Sequence, residues 1–271
     1  MTPNRITVLS LGAGVQSSAL ALMSAEGELP MVDCAIFADT GAESQETYDY
    51  LEYLRERVPY PVYLVKEKEG LTKMIEEGVR NGTRVAQPPM FAITPEGDNG
   101  QLLRVCTEEF KIKPVRRKVR ELLGLKKGQR AKDEHCDMWI GISLDEVQRM
   151  RLSLIRYIKH HFPLIDKGIR RGGCLEWLKA RGYKLPPRSA CVYCPYHRNH
   201  EWRRIRDNDK EGWKEAIRVD HMVRDGWKGI NSTLYVHDER IPLEEVDLST
   251  DEDRGQMTMG FVQECSGMCG N

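Results

Sequence analysis

The segment from Arg5 to Met23, RITVLSLGAGVQSSALALM, changes its period within a few residues. An apolar strand-like run over residues 6–11 meets Gly12 and Gly14. Leu20, Leu22 and Met23 then mark a helix over Val15 to Ala25. The change recurs twice. CAIFAD reads as a second strand ahead of helical spacing at Tyr48, Leu51 and Leu54, and PVYLV as a third ahead of GLTKMIEEGV. Strands that alternate with helices need crossover connections, which make neighbouring strands parallel and cover both faces of the sheet. The expected fold class is α/β, an open, mainly parallel sheet with helices on both faces, joined to a helical and loop-rich C-terminal subdomain that carries cysteines.

Further along, Asn81 to Gln101 is rich in Pro, Gly and polar residues without periodicity and reads as a mobile loop. A basic helix in KIKPVRRKVRELLG, a strand in CDMWIGIS and a helix from Asp145 follow. Beyond about Arg156 the pattern becomes short helices and loops, and from Pro242 an acidic tail runs to QECSGMCGN. The expected units are an α/β core over 1–155, a cysteine-bearing subdomain over 156–241 and the tail over 242–271.

Lys plus Arg and Asp plus Glu both number 41, so charge as a whole announces neither a nucleic-acid binder nor an acidic surface, and any basic patch is local. The N-terminal residues lack the pattern of a secretory signal, and no stretch approaches the ~18 apolar residues of a membrane span. The expectation is a soluble, cytoplasmic protein with no membrane partner. Eight cysteines then fit metal binding or redox chemistry better than a disulfide framework. Cys34 and Cys136 lie in strand-like runs and read as small buried hydrophobes.

The turn SLGAGVQSS has two readings. It is a tight, capped turn, or it is an anion cradle in which glycines admit a phosphate to the amides at a helix N-terminus and Ser17 and Ser18 add hydroxyls. No Lys precedes the serine pair, which excludes a Walker A loop, and Ser17 stands where a dinucleotide fingerprint needs its third glycine. Asp39, at the end of the second strand, either caps the next helix or faces a ligand, because open parallel sheets bind ligands at the carboxyl ends of their strands. Lys111, Arg116, Arg117, Lys118 and Arg120 form a solvated helix face or a phosphate contact.

GAGVQS resembles the SGGVDS loop of N-type ATP pyrophosphatases, with Gln16 at the Asp position. FADTGAESQETYDYL resembles the DTG…PET segment of phosphoadenosine-phosphosulfate (PAPS) reductases through Asp39, Thr40, Gly41, Glu46 and Thr47. RVCTEEFKIKPVRR resembles the central cysteine segment of those reductases. GISLDEVQRMR is similar to a phosphate-binding element through Gly141 and Arg149, with Ser143 where Arg is common. Four resemblances in the same order, from about Ser10 to Cys194, imply an adenine nucleotide α-hydrolase-like fold. They imply nucleotide contacts at Ser10, Gly12, Gly14, Val15, Gln16, Asp39, Thr40, Gly41, Lys111, Gly141 and Arg149, with Ser17 and Ser18 in the catalytic loop.

SACVYCPYH offers Cys191 and Cys194 to one metal, and Cys106 and Cys174 are candidates to complete four ligands. The spacing resembles that around the [4Fe-4S] cluster of one branch of sulfonucleotide reductases and of DNA-phosphorothioation pyrophosphatases; a structural zinc and a redox dithiol are the alternatives. His197 and His200 are either further ligands or helix decoration. The ending ECSGMCGN resembles the ECG tail whose thiolate attacks sulfur in PAPS reductases, which makes Cys265 a catalytic candidate, with Cys269 beside it.

The resemblance implies an ATP-pyrophosphatase-type enzyme of sulfur metabolism that adenylates a DNA phosphate or a tRNA base for sulfur insertion, with Mg²⁺ at the pyrophosphate and sulfur supplied by a cysteine desulfurase. The alternatives are a PAPS or APS reductase that uses Cys265 with a thioredoxin-like donor, and a non-catalytic nucleotide-binding subunit of a nucleic-acid-modifying assembly.

Overall fold

A computed structural model describes residues 5–67, 69–83, 85–132, 135–250 and 253–255. Strand β1 (Arg5–Leu11) leads into helix α1 (Val15–Ala25), β2 (Cys34–Asp39) into α2 (Gln45–Arg55), and β3 (Val62–Lys66) into α3 (Leu71–Asn81). Two short strands follow, β4 (Phe91–Ile93) and β5 (Asn99–Gln101), then a π-helical turn (Glu108–Ile112) that runs into α4 (Lys113–Leu122). Strand β6 (His135–Ile140), a 3₁₀ turn (Leu144–Arg149) and β7 (Ile158–His161) complete the main sheet. Helices α5 (Pro163–Asp166), α6 (Arg171–Ala180), α7 (Asn199–Asn208) and α8 (Lys210–Met222) precede the short strand β8 (Thr233–Tyr235).

The main sheet is wholly parallel, in the order β3-β2-β1-β6-β7. This is the expected α/β architecture. Its two faces follow from the period of two along each strand. Leu9, Leu11, Ala35, Phe37 and Trp139 point to one face, where α1, α2 and α6 cover them. Val8, Ile36, Ala38, Met138 and Ile140 point to the other, under Val115 and Val119 of α4. Each fully buried aliphatic side chain of this kind contributes roughly 1.5–3 kcal/mol to the core. Cys34 and Cys136 sit in the second face, and burial pushes both thiols up to about 12, as befits small hydrophobes.

A second sheet, antiparallel and ordered β5-β4-β8, packs with α3, α7 and α8 into a separate core around Trp202, Val219 and Leu234. Here the structure differs from the sequence reading. The stretch expected to be a mobile loop, Asn81 to Gln101, contains β4 and β5, held by pairing of Phe91 with Tyr235 and of Ala92 with Leu234. The helix expected from Asp145 is only a 3₁₀ turn, broken at Glu146 by non-helical dihedrals. The expected boundary near residue 155 falls inside the first body, because β7 is the fifth strand of the main sheet and α6 packs on α1. The physical reason is shared core: Leu164, Cys174 and Leu178 bury themselves among the side chains of α1. Among the described residues no helix is long and apolar enough to cross a membrane.

Candidate functional site at the strand ends

Strand order reverses about β1, whose neighbours are β2 on one side and β6 on the other. Such a switch point opens a crevice at the carboxyl ends of the strands, the ordinary ligand site of open α/β sheets. The loop after β1 and the loop after β6 flank it. Ala13 takes up a left-handed conformation, φ 56°, and Gly14 starts α1 in extended backbone, with no side chain capping the helix and no acidic residue in its first turn. Ser17 shapes this turn: the Gly12 amide donates to its Oγ at 3.1 Å, and that hydroxyl donates to the Gly14 carbonyl at 3.3 Å. Ser18 is completely buried, beside the Tyr50 hydroxyl of α2. Of the serine pair expected to act on phosphates, one therefore builds the loop and the other packs in the core.

Gly141, at the end of β6, lies against the first turn of α1. A Cβ built there would stand 2.9 Å from the Ser17 nitrogen and 3.0 Å from its Cα. Just beyond it, buried Gln16 donates from Nε2 to Glu146 Oε2 at 2.9 Å and to Ser143 Oγ at 3.4 Å, and Arg149 donates to the other oxygen of Glu146. Gln16 and Ser143, the two positions that differ from the motifs the sequence resembles, are thus hydrogen-bond partners.

At the end of β2, Asp39 Oδ1 accepts from the Gly41 amide and the Tyr48 hydroxyl, both at 2.7 Å, with Lys66 Nζ 3.7 Å from its other oxygen. Gly41 needs its freedom here, with φ at 74° and Lys66 Nζ 2.9 Å from where a Cβ would stand. Thr40 turns the other way. Its hydroxyl donates to Glu43 Oε1 at 3.2 Å and lies 3.2 Å from the Cys191 sulfur. Glu43 pairs with Lys111 Nζ at 3.4 Å, and the Val192 amide donates to the Ala42 carbonyl. Asp39 and Thr40, adjacent in sequence, therefore face Tyr48 of α2 and the cysteine segment respectively.

Lys111, Ser10 and Gly12 line a small recess over the ends of β1 and β2, about 10 Å³ in volume. Lys111 also lines a neighbouring cavity of about 40 Å³, together with Thr40, Cys106, Cys191 and Cys194. Burial, reinforced by the Glu43 carboxylate, pushes the Cys191 thiol well above its ordinary value. Cys174 is elsewhere, wholly buried in the α1–α6 layer, and Cys265 and Cys269 lie outside the described residues. Three of the four expected cysteine ligands share a cavity, and the fourth does not. Among the described residues no group of three His, Cys, Asp or Glu side chains is arranged to hold a metal ion. This donor set does not fit a closed four-thiolate site. Nor do the donors at the glycine loop fit a Mg²⁺ held by the protein, since Glu146 is already engaged by Gln16 and Arg149.

A third cavity, about 230 Å³, opens on the other side of the cysteine segment, between the start of α2, the start of α6 and α7. Its lining includes Arg188, Ala190, His197 and Glu201. His197 is buried, its Nε2 bound to the Cys191 carbonyl at 2.9 Å, and burial lowers its pKa to about 4. The sequence motifs mark His197 only as a ligand or helix decoration and do not single out Glu43, Glu146 and Arg188, whose partners are set by the fold. The one local signal was their position, each within a few residues of a quoted motif.

No protein-family model matches the chain. No curated protein matches it. Among solved structures, the chain is similar to a phosphoadenylyl-sulfate (PAPS) reductase from Candida auris in complex with phosphate, at 15% identity over 69% of this chain and 76% of that one, with a TM-score of 0.40.

Proposed function

We propose that this chain is an adenine-nucleotide-dependent enzyme of sulfur metabolism, which adenylates an acceptor for sulfur insertion at the ends of β1, β2 and β6. The observation that carries the reading is Lys111, a buried cation that lines both the recess at the glycine loop and the cavity of Cys106, Cys191 and Cys194. A nucleotide phosphate at the loop and a sulfur at the cysteines would share one positive charge. The sequence resemblance to N-type ATP pyrophosphatases supplies the reaction.

In this reading the amides of the first turn of α1 and Lys111 stabilise negative charge on the phosphates of ATP, the term on which phosphoryl and adenylyl transfer depend most. Mg²⁺ belongs to the substrate, as MgATP. An acceptor oxygen attacks the α-phosphorus, a new P–O bond forms, and the bond to the bridging oxygen breaks with its electron pair leaving on pyrophosphate. A persulfide sulfur then attacks the activated atom and displaces AMP, and a second thiol cleaves the resulting S–S bond, which leaves the sulfur on the acceptor and a disulfide between the two thiols. The acceptor is a DNA phosphate or a tRNA base, and the sulfur comes from a cysteine desulfurase.

The Gln16–Glu146 contact favours a second reading, reduction of a sulfonucleotide, because that chemistry cleaves no bond to phosphorus and needs no acidic loop residue. There a thiolate, Cys265 by resemblance, takes the sulfur of PAPS or APS, and a second thiol from a thioredoxin-like donor releases sulfite. Pyrophosphate release from ATP with DNA or tRNA present, measured beside thioredoxin-dependent sulfite release, separates the two. Neither activity, together with nucleotide affinity unchanged in Ser17→Ala, would sink both.

A further inference from the structure

Positive charge on α4 is already matched. Lys113 pairs with Glu109, Arg116 with Glu108, Arg117 with Glu67 and Lys118 with Glu121, while Arg120 donates to the Lys126 and Gln129 carbonyls. Unmatched positive charge stands instead on the two segments that flank β6. Residues 122–132 and 147–165 contain no Asp or Glu, in a chain whose acids and bases are equal in number. Lys126, Lys127 and Arg130 on the first, and Arg151, Arg156 and Lys159 on the second, are exposed, and among the described residues none of the six is in an ion pair. Of the acids that border these runs, Glu121 and Glu146 are paired and Asp166 closes α5; Asp133 and Glu134 lie outside the described residues.

The two segments meet on one side of the sheet. Arg120, which holds carbonyls of the first, has its guanidinium carbon 5.8 Å from the ring centre of Tyr157 in the second. Ala131, Ile155 and Tyr157 pack on the same core. The Tyr157 carbonyl accepts from the Cys136 amide near the start of β6, and the Arg151 carbonyl accepts from His160 Nδ1 near the end of β7. The second segment therefore runs the length of β7, the edge strand of the main sheet. At its upper end, two residues before Arg151, Arg149 holds Glu146, the partner of Gln16 at the glycine loop. A free nucleotide needs cations only at its own phosphates, whereas a row that leads away from the strand-end site matches a polymer with a charge on every unit. We infer that this strip binds the backbone of a nucleic-acid strand, its phosphates on the six cations, and so leads one nucleotide of it to the ends of β1 and β6. The inference rests on the reading above in which the acceptor is a nucleic acid. Leu152 and Leu154, 80% and 94% exposed on the same segment, would also suit an acidic protein segment, which the test separates.

The test needs no turnover. Binding of the full chain to a fluorescent single-stranded oligonucleotide of about 20 residues is followed by anisotropy without ATP, from about 50 to about 300 mM salt. Six phosphate contacts predict a slope of log K on log salt of about −4, at about −0.7 for each contact to a single strand. Two triple variants divide the strip: Arg151→Gln, Arg156→Gln and Lys159→Gln together, and Lys126→Gln, Lys127→Gln and Arg130→Gln together. Each is expected to flatten the slope by about 2 and to weaken binding about tenfold or more at about 100 mM salt. The six side chains are exposed, so the melting temperature should hold, and that measurement confirms that both variants fold. No binding at about 50 mM salt, or the wild-type slope in both folded variants, overturns the inference. So does equal displacement of the strand by poly-glutamate of matched charge, which would assign the strip to an acidic protein. Strand binding as expected without pyrophosphate or sulfite release would fail the catalytic reading alone. Turnover on nucleic acid that persists unchanged in both folded variants would fail the strip alone.

Discussion

Gln16 at the mouth of α1 and Glu146 after β6 are joined by a buried hydrogen bond of 2.9 Å, in which the side-chain amide donates and the carboxylate accepts. This explains why an acidic residue would be out of place at position 16. An Asp or Glu there has no donor to offer at neutral pH and would set a second negative charge against Glu146. We expect Gln16→Glu to lose about 1–3 kcal/mol of stability. Adding Glu146→Gln should restore a donor–acceptor pair and recover most of that loss. Urea unfolding of the two single variants and the double variant measures the coupling; additive effects would show that the contact is not energetically formed.

Close approach of two backbones at the switch point rests on Gly141. In Gly141→Ala the new methyl would stand 2.9 Å from the Ser17 nitrogen, so either the end of β6 or the first turn of α1 must move. The expected cost is about 1–3 kcal/mol, the usual penalty of overpacking. Because the moved turn is the proposed phosphate cradle, nucleotide affinity should fall beyond any loss of folded protein. Calorimetric titration with ATP well below the melting temperature tests this, and unchanged affinity would place the nucleotide elsewhere.

Much of this was legible in the chain itself. The strand–helix alternation that gives β1, β2, β3 and β6 is local, because period two and period 3.6 are carried by neighbouring residues. Strands β4, β5 and β8 have three residues each, too few for a period, and are strands only because Phe91 finds Tyr235. Strand β7, IKHH, lacks an apolar run and was hidden for the same reason. At the site, the glycine loop, Asp39, Thr40 and Lys111 stand in recognisable motifs, whereas the Gln16–Glu146 bond spans 130 positions that only the sheet brings together. Cys174 misled because a cysteine in a polar, glycine-rich stretch was weighed by its neighbours in sequence, while its helix turns it into the core against α1.

Lys111 and Glu43 form a pair whose side chains are 11% and 0% exposed, and Glu43 Oε2 has no hydrogen-bond partner. Breaking such a pair from one side strands a buried charge, which costs about 3–5 kcal/mol. We expect Lys111→Met to be destabilised to that degree, and Glu43→Gln in the same chain to recover part of it by removing the charge. Nucleotide affinity should not return in the double variant, since the cation at the loop is still missing. Recovery of both properties together would reduce Lys111 to a structural role.

His197 ties stability to pH. Burial is the main cause of its lowered pKa, about 4 in the folded chain, with the nearby Arg188 guanidinium acting in the same direction. In the unfolded chain an imidazole takes up its proton near pH 6.5. Between those values the unfolded state binds a proton that the folded state does not, so the stability of the fold rises with pH through this window and is lost as pH falls from about 6.5 toward about 4. The slope from this one group is bounded by roughly 1.4 kcal/mol per pH unit. Urea unfolding at pH 7, 6 and 5 should therefore show a decline, shared with the half-buried His160 and the buried His237, whose values are also lowered by desolvation. His197→Gln removes the titrating ring, and the decline should be shallower in that variant. An equal slope in both proteins would mean that His197 takes up its proton alike in the folded and unfolded chains, and that its burial does not hold the ring neutral.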